Sequence, residues 1–356
     1  MRKLKTPVAL AAMCLLSGAA LAQTASGVTL YGVLDEFVTN IKLQGLGSTT
    51  RLDSSGQLAS RVGLRGREDL GGGMAANFTI EAGINANSGD TADANRFFNR
   101  QSWVGLSSSW GEVRLGRQNT PQFYMNGDFD AFNGATQASG WNNVTGTTPR
   151  IDNAIGYFMP KFSDVTAQVL VARGSTGGAP ISAQVRGNQS LHAAVEWKIP
   201  TAYFGVNYET IDNTNLPFTA KRLGVGANYA ITSAWRIFGA YGHERRTDDT
   251  LALDLYSISA KWDFAANQNL AFGYFRANDK LGGAGHGNAD ETSVLYRYLL
   301  SKRTTVYSAL SHLQQHGLRN SFSLGGAAVV AAGARPTTPV PGGSINAWQL
   351  GITHNF

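Results

Sequence analysis

The sequence predicts an all-β fold, a sixteen-stranded antiparallel transmembrane β-barrel, and three observations lead to it. Apolar and polar residues alternate with a period of two along one segment after another. Short and long breaks between these segments occur strictly in turn. No capped stretch with a 3.6-residue period is available to cover one face of so large a sheet.

The chain opens with Arg2, Lys3 and Lys5 ahead of an apolar stretch from Val8, and Ala20-Leu21-Ala22 supplies a small-x-small cleavage pattern. Residues 1–22 therefore read as a signal peptide, with Gln23 the first residue of the exported chain. The only cysteine, Cys14, leaves with that leader. Disulfides and thiol chemistry are thereby excluded from the exported chain. Three of the 30 Lys and Arg also leave, against 24 Asp and Glu. The small remaining excess of positive charge does not point to a nucleic-acid partner. No Pro/Ser linker or charge block divides residues 23–356, which read as one domain.

Residues 74–85 show the alternation most clearly. Met74, Ala76, Phe78, Ile80, Ala82 and Ile84 fall on one face, with Asn77, Thr79 and Glu81 on the other. Just before them, Val62 and Leu64 oppose Arg61, Arg65 and Arg67. The pattern returns with Leu191, Val195 and Trp197 opposing His192, Glu196 and Lys198. It returns again with Leu223, Val225 and Tyr229 opposing Arg222 and Asn228, and with Tyr256, Ile258, Trp262 and Phe264 opposing Lys261 and Asp263. Short breaks fall at 68–73, 107–111, 160–164, 199–201, 231–234, 265–268 and 300–303. Long Gly- and Asn-rich breaks fall at 41–57, 86–96, 120–149, 174–189, 211–220, 245–253, 279–290 and 316–344. Seven short and eight long connections join sixteen strands into a meander with one smooth and one ragged end.

A soluble sandwich would also alternate, with its apolar face buried. Here that face mixes small and aliphatic residues at mid-strand with Tyr, Trp and Phe nearer the ends, which is what the two interfaces of a bilayer favour. Backbone groups cannot stay unpaired in hydrocarbon, so such a sheet must close. Arg61 and Glu81 then face water inside the barrel, while Val62 and Ile80 face lipid. Sixteen strands leave room for an aqueous channel.

Several stretches then resemble one family: VTLYGVLD (28–35), SRVGLRGREDLGGGMAANFTIEAG (60–83), WVGLSSSWGEVRLGRQNTP (103–121), RIDNAIGYFMPKF (150–162), LSKRTTVYSAL (300–310) and LGITHNF (350–356). The chain resembles the general diffusion porins of Gram-negative outer membranes, in their betaproteobacterial and neisserial branch. The resemblance implies a homotrimer of sixteen-stranded barrels with short periplasmic turns, long external loops and a third long loop folded into each lumen. It implies contact with outer-membrane lipid and lipopolysaccharide, and recognition by the barrel-assembly machinery through Phe356. It also implies a constriction in which Arg61, Arg100 and Arg150 form the basic side and Glu81, Asp128 and Asp130 the acidic side. Arg67 departs from the pattern, standing where an uncharged residue is common. The apolar stretch at 325–343 departs from it as well.

The expected function is passive diffusion of small hydrophilic solutes with a moderate preference for anions, without a cofactor and without catalysis. Arg65 and Arg67 fall toward the periplasmic vestibule, and Glu112 and Arg114 read as structural. His312 and His316 are spaced four apart on a strand, about 13 Å, which does not suit a metal pair. Two alternatives stay open. A substrate-specific channel would differ only in its constriction lining, where Phe123, Tyr124 and Phe129 are available. An outer-membrane barrel enzyme would need a His/Ser/Asp cluster that one sequence cannot reveal.

Overall fold

A computed structural model describes residues 26–356 apart from 135, 145–147, 174–187, 214–217, 320 and 325–339. The leader at 1–22 and most of the apolar stretch at 325–343 lie outside the described residues. The strands in chain order are β1 (Gly27–Leu43), β2 (Gly47–Ser54), β3 (Arg61–Gly71), β4 (Met74–Asn85), β5 (Asp90–Thr91), β6 (Gln101–Ser108) and β7 (Gly111–Asn119). Two helices follow, α1 (Pro121–Phe129) and α2 (Gly140–Val144). The chain continues with β8 (Arg150–Phe158), β9 (Val165–Arg173), β10 (Asn188–Lys198), β11 (Ala202–Asn213), β12 (Thr219–Ala230) and β13 (Trp235–Arg246). It ends with β14 (Ala252–Ala265), β15 (Gln268–Asp279), β16 (Ala289–Leu299), β17 (Thr304–Gln315) and β18 (Ser344–Asn355).

These segments build sixteen barrel strands. β1 pairs with β2 through residues 36–43 and with β3 through 27–33, so β2 and β3 are the two halves of one broken strand. β5 is a two-residue ladder at the top of β4. Every remaining pairing is antiparallel between chain neighbours, and β1 pairs with β18 from Val33↔Asn355 to Leu43↔Ile345, which closes the sheet. The terminal residue completes the seam. Gly32 N–H donates to the Phe356 carbonyl at 3.2 Å, and Phe356 N–H donates to the Gly32 carbonyl at 3.1 Å. A side chain at Gly32 would lie within 2.1 Å of the Phe356 ring, so the close fit of that ring requires glycine there.

Parity holds on the outside. Ile258 is 66% exposed, and Leu64, Val195, Tyr229 and Tyr256 share its outward face. Trp235 and Trp262 stack at 5.2 Å near the short turns, while Tyr241 and Tyr256 meet at 5.3 Å higher on the same strands. Those pairs are separated by six residues of β13, about 20 Å at roughly 3.3 Å per residue. Two aromatic girdles around a band of about that height suit a bilayer.

Two expectations change. The stretch at 41–57 is not an open loop: β1 runs to Leu43, turns at 44–46 and returns as β2. Thr49, Thr50, Arg51 and Leu52 tolerate extended backbone, so the hairpin continues above the expected boundary. The real irregularity is the break at 55–60, where Ser55 has φ of 74°. Asp35 holds this break. Its carboxylate accepts the backbone N–H of Gly56, Gln57 and Leu58 at 2.9, 3.0 and 2.8 Å, plus the hydroxyls of Tyr307 and Thr353 at 2.7 and 2.5 Å. One buried side chain thus ties the break to the closing strands.

The second change concerns the interior, which is not polar all round. Met125, Phe129, Phe132 and Trp141 of the 120–149 loop pack with Tyr203, Phe238, Leu255, Phe275 and Leu295 of the barrel wall in one buried cluster. The loop lies inside the barrel against this wall. Gly226 makes room for it, because a Cβ there would come within 2.1 Å of the Phe129 ring. Gly226→Val should therefore overpack the seat, costing about 1–3 kcal/mol in urea unfolding in detergent and opening the loop to protease. Unchanged stability and unchanged cleavage would show that Phe129 does not seat there.

Candidate pore constriction

The wall facing the loop is built by β3, β4 and β6 to β8, and its inward row carries the basic residues. Glu81 of β4 organises them. Arg100 Nε donates to Glu81 Oε1 at 2.6 Å, Arg61 Nε lies 3.4 Å from Oε2, and Tyr31 donates its hydroxyl to Oε2 at 2.9 Å. Arg150 is within electrostatic range of Arg61, Arg100, Arg117 and Glu81. Its guanidinium lies 5.0 Å from the centroid of the Phe123 ring on α1, so it spans from wall to loop. The structure therefore brings Arg61, Arg100, Arg150 and Glu81 together. Glu81 stands on the arginine wall and neutralises its neighbours, rather than facing them across the lumen.

Four further residues join this group that sequence reasoning missed. Arg117 forms an ion pair with Asp152, and Arg96 reaches the same carboxylate at 3.1 Å and Asp93 at 3.8 Å. Arg117 also donates to the Asn99 carbonyl at 2.7 Å. Alternation with Val113 and Leu115 would put Arg117 on the lipid side. The β7–β8 register slips between Gly116 and Gln118, and Asn153 adopts φ of 53°. This bulge re-aims the side chain, as bulges do. The only signal in the sequence was the Gly-Arg-Gln-Asn run before Pro121.

Across the lumen the loop begins with α1, capped by Thr120, whose hydroxyl accepts the Phe123 N–H at 3.3 Å, and led by Pro121. Pro121, Gln122, Met125, Asn126 and Phe129 face the wall, which leaves Phe123, Tyr124 and Asp128 toward the channel. Asp128 binds Lys198 Nζ at 3.0 and 2.8 Å. Behind the loop, Arg222 bridges Glu209 at 2.5 Å and Glu244 at 3.1 Å, and His192 contacts Glu209 at 2.9 Å. Glu291 holds Asn143 of α2 through both oxygens at 2.9 Å. These buried groups anchor the loop.

Asp130 corrects the sequence expectation. It is 0% exposed and does not line the channel. Its carboxylate accepts the N–H groups of Phe132 and Gly134, each at 2.9 Å, and the Ser139 hydroxyl. It staples the loop from within, an Asx-type role common at turns. Burial pushes this carboxyl up to about 6, against the smaller opposing effects of these hydrogen bonds and of Arg297. A carboxyl raised on folding binds its proton more tightly in the folded chain. Its stabilising contribution is full below the unfolded value near 3.8 and lost as pH rises to about 6. Asp130→Asn should remove this dependence, so the variant gains on the parent by up to about 3 kcal/mol between pH 4 and 6. Urea unfolding in detergent across that range measures it. Parallel pH profiles for the two proteins would contradict the assignment.

A family model described as Gram-negative porin matches residues 9–318. Outer membrane porin protein 32 of Delftia acidovorans is 29% identical over 371 residues, covering 99% of this chain and 99% of its own. A major outer membrane protein P.IB of Neisseria meningitidis serogroup B is 24% identical over 317 residues, 83% of this chain and 90% of its own. Among solved structures, an anion-selective porin from Comamonas acidovorans superposes with a TM-score of 0.76 at 26% identity, over 93% of this chain and 100% of that one. The closed sixteen-strand barrel, the loop seated in its lumen and the family match over most of the sequence agree, and the chain belongs to the Gram-negative porin family of outer-membrane channels.

Proposed function

We propose that this channel passes small hydrophilic solutes passively and prefers anions, with Arg61, Arg100 and Arg150 as its basic filter and Arg96 and Arg117 reinforcing them. The observation that carries the preference is the balance of fixed charge. The wall sets five guanidiniums against the carboxylates of Glu81, Asp93 and Asp152. On the loop side Asp128 is matched by Lys198. The excess is positive, and a narrow lumen with low-dielectric walls amplifies it. Guanidinium stays charged at any relevant pH and its planar fork suits carboxylate and phosphate. The anion selectivity in the name of the Comamonas porin agrees with this reading. No cofactor or catalytic step enters this account.

The same proposal includes assembly. Near the barrel seam the outward side chains Asn40 and Thr50 pair at 2.7 Å, and His312 and Asn346 pair at 2.8 Å. This polar patch suits a neighbouring protomer better than acyl chains, which supports the homotrimer. Lipopolysaccharide around the long-loop rim and recognition of Phe356 during assembly belong to the reading as well. A second reading, a substrate-specific channel, draws on the Phe123–Tyr124 pair exposed on α1, whose rings meet edge to face at 5.8 Å. Block of the current by micromolar substrate would favour it, whereas steady ohmic conductance favours general diffusion.

Planar-bilayer reversal potentials in a salt gradient test the filter. Arg100→Ala should lower the anion-over-cation permeability ratio roughly twofold, and Glu81→Gln should raise it, since one fixed charge is removed in each case. Both changes should fade near 1 M salt, where the Debye length is about 3 Å. Reversal potentials that move with neither substitution would remove the filter assignment while leaving the barrel intact.

A further inference from the structure

Below the constriction, the short-turn half of the same wall holds cations that the filter does not use. The inward row of β3 continues from Arg61 through Gly63 to Arg65 and Arg67, both exposed. Register places Arg65 beside Thr79 and Arg67 beside Asn77. Each basic residue of the constriction wall that reaches a carboxylate is neutralised in part, but Arg65 and Arg67 form no ion pair among the described residues. Arg65 lies 5.4 Å from the Tyr31 ring centroid. Arg67 Nη1 makes only long contacts to neutral groups, Asn77 Oδ1 at 3.3 Å and Ser107 Oγ at 3.5 Å.

The two guanidiniums rim a concavity of about 560 Å³ with Asn77 and Ser107 in its lining. Glu112 also lines it, but that carboxylate is committed. Arg114 binds it at 2.9 and 2.6 Å, and Asn77 Nδ2 donates to its other oxygen at 3.0 Å. Arg114 is itself held between the rings of Trp103 and Phe158, at 4.2 and 4.0 Å from their centroids. The far edge of the concavity is thus neutral and fixed, and the near edge carries two positive charges that form no ion pair among the described residues, Asp69 being the next carboxylate along the row.

We infer that Arg65 and Arg67 form an anion-holding site in the periplasmic vestibule that takes compact dianionic oxyanions, a short dicarboxylate or phosphate, in preference to monoanions. Residues two apart on a strand lie about 6.6 Å apart, so both forks can reach one small dianion. Charge-assisted, bidentate contacts to oxygen are the strong ones, and the two guanidiniums supply them without help from Asn77, whose amide hydrogens are held by Ser107 and Glu112. An unpaired cation pair at a channel mouth also raises the local anion concentration. The site rests on the channel reading above and adds sidedness to it.

The test is bilayer recording at low salt on the full processed protein, with succinate, inorganic phosphate at pH 8 or acetate added to one side at a time. Succinate or phosphate at the short-turn side should reduce the current at concentrations about tenfold lower than at the long-loop side, the scale of one charge-assisted hydrogen bond. Acetate should show little sidedness. The Arg65→Gln/Arg67→Gln variant should lose the difference between sides, which is read as a ratio and so is independent of total conductance. Arg67→Lys should keep part of it, because charge remains while the fork is lost. Equal block from both sides, sidedness that survives in the double variant, or acetate as effective as succinate would overturn the site. A protein with no conductance would overturn the channel reading and the site together, so the two failures are distinct.

Discussion

In hydrocarbon every peptide N–H and C=O must find a partner within the protein, and this chain meets that demand by joining its last strand to its first. Eleven consecutive residue pairs link β1 to β18, and the terminal Phe356 adds two more backbone bonds. An open edge at depth would leave groups each costing several kcal/mol. Once the sheet is closed, the parity of each strand is fixed, because a slip of one residue would turn every lipid-facing side chain into the lumen. Asp35 belongs to the same constraint. The break at 55–60 frees backbone donors, and its carboxylate collects three of them while also binding Tyr307 and Thr353 on the closing strands.

Closure makes a tube, and the asymmetry of the tube gives it chemistry. One inner wall carries an apolar cluster and buried ion pairs such as Arg222 with Glu209 because a helical loop lies against it. The opposite wall is lined with arginine because it faces water. The loop does not supply a balancing row of free carboxylates. Asp130 is sealed inside it and Asp128 is matched by Lys198, so the carboxylates that matter electrostatically stand among the arginines themselves. The field in the lumen comes from a partly neutralised basic wall facing the exposed rings of Phe123 and Tyr124, and not from two opposed rows of charge.

Much of this was legible before any coordinates. A period of two, repeated between breaks of alternating length, specifies strands, count and sidedness, and Val62, Ile80, Val225 and Ile258 all lie where that pattern sends them. Arg61, Arg100 and Glu81 were named from the family resemblance of their local motifs, and the structure places the three in one ion-pair cluster. The misses share a cause: they depend on departures from the period or on contacts across the barrel. Arg117 needs the bulge near Gly116, which parity cannot anticipate. Asp130 sits in a loop, where a carboxylate beside glycine and aromatics reads equally as pore lining or as an internal staple. The seat at Gly226 is visible only when Phe129 arrives from a hundred residues away. The 41–57 stretch misled in the other direction, since Gly and Ser composition suggested a loop where Thr and Leu continue the ladder.

The central claim is that adjacent residues of one strand face different solvents. Because Cys14 is the single cysteine of the sequence, single cysteines can be placed in turn, in a Cys14→Ser background, at positions 76 to 80 of β4 in protein reconstituted in lipid vesicles. A membrane-impermeant thiol reagent, used with vesicles opened on both sides, should modify positions 77 and 79, and a lipid-borne quencher should reach probes at 76, 78 and 80. Equal aqueous reactivity at all five positions, or protection of 76, 78 and 80 that persists without lipid or detergent, would contradict a wet interior enclosed by an oily exterior.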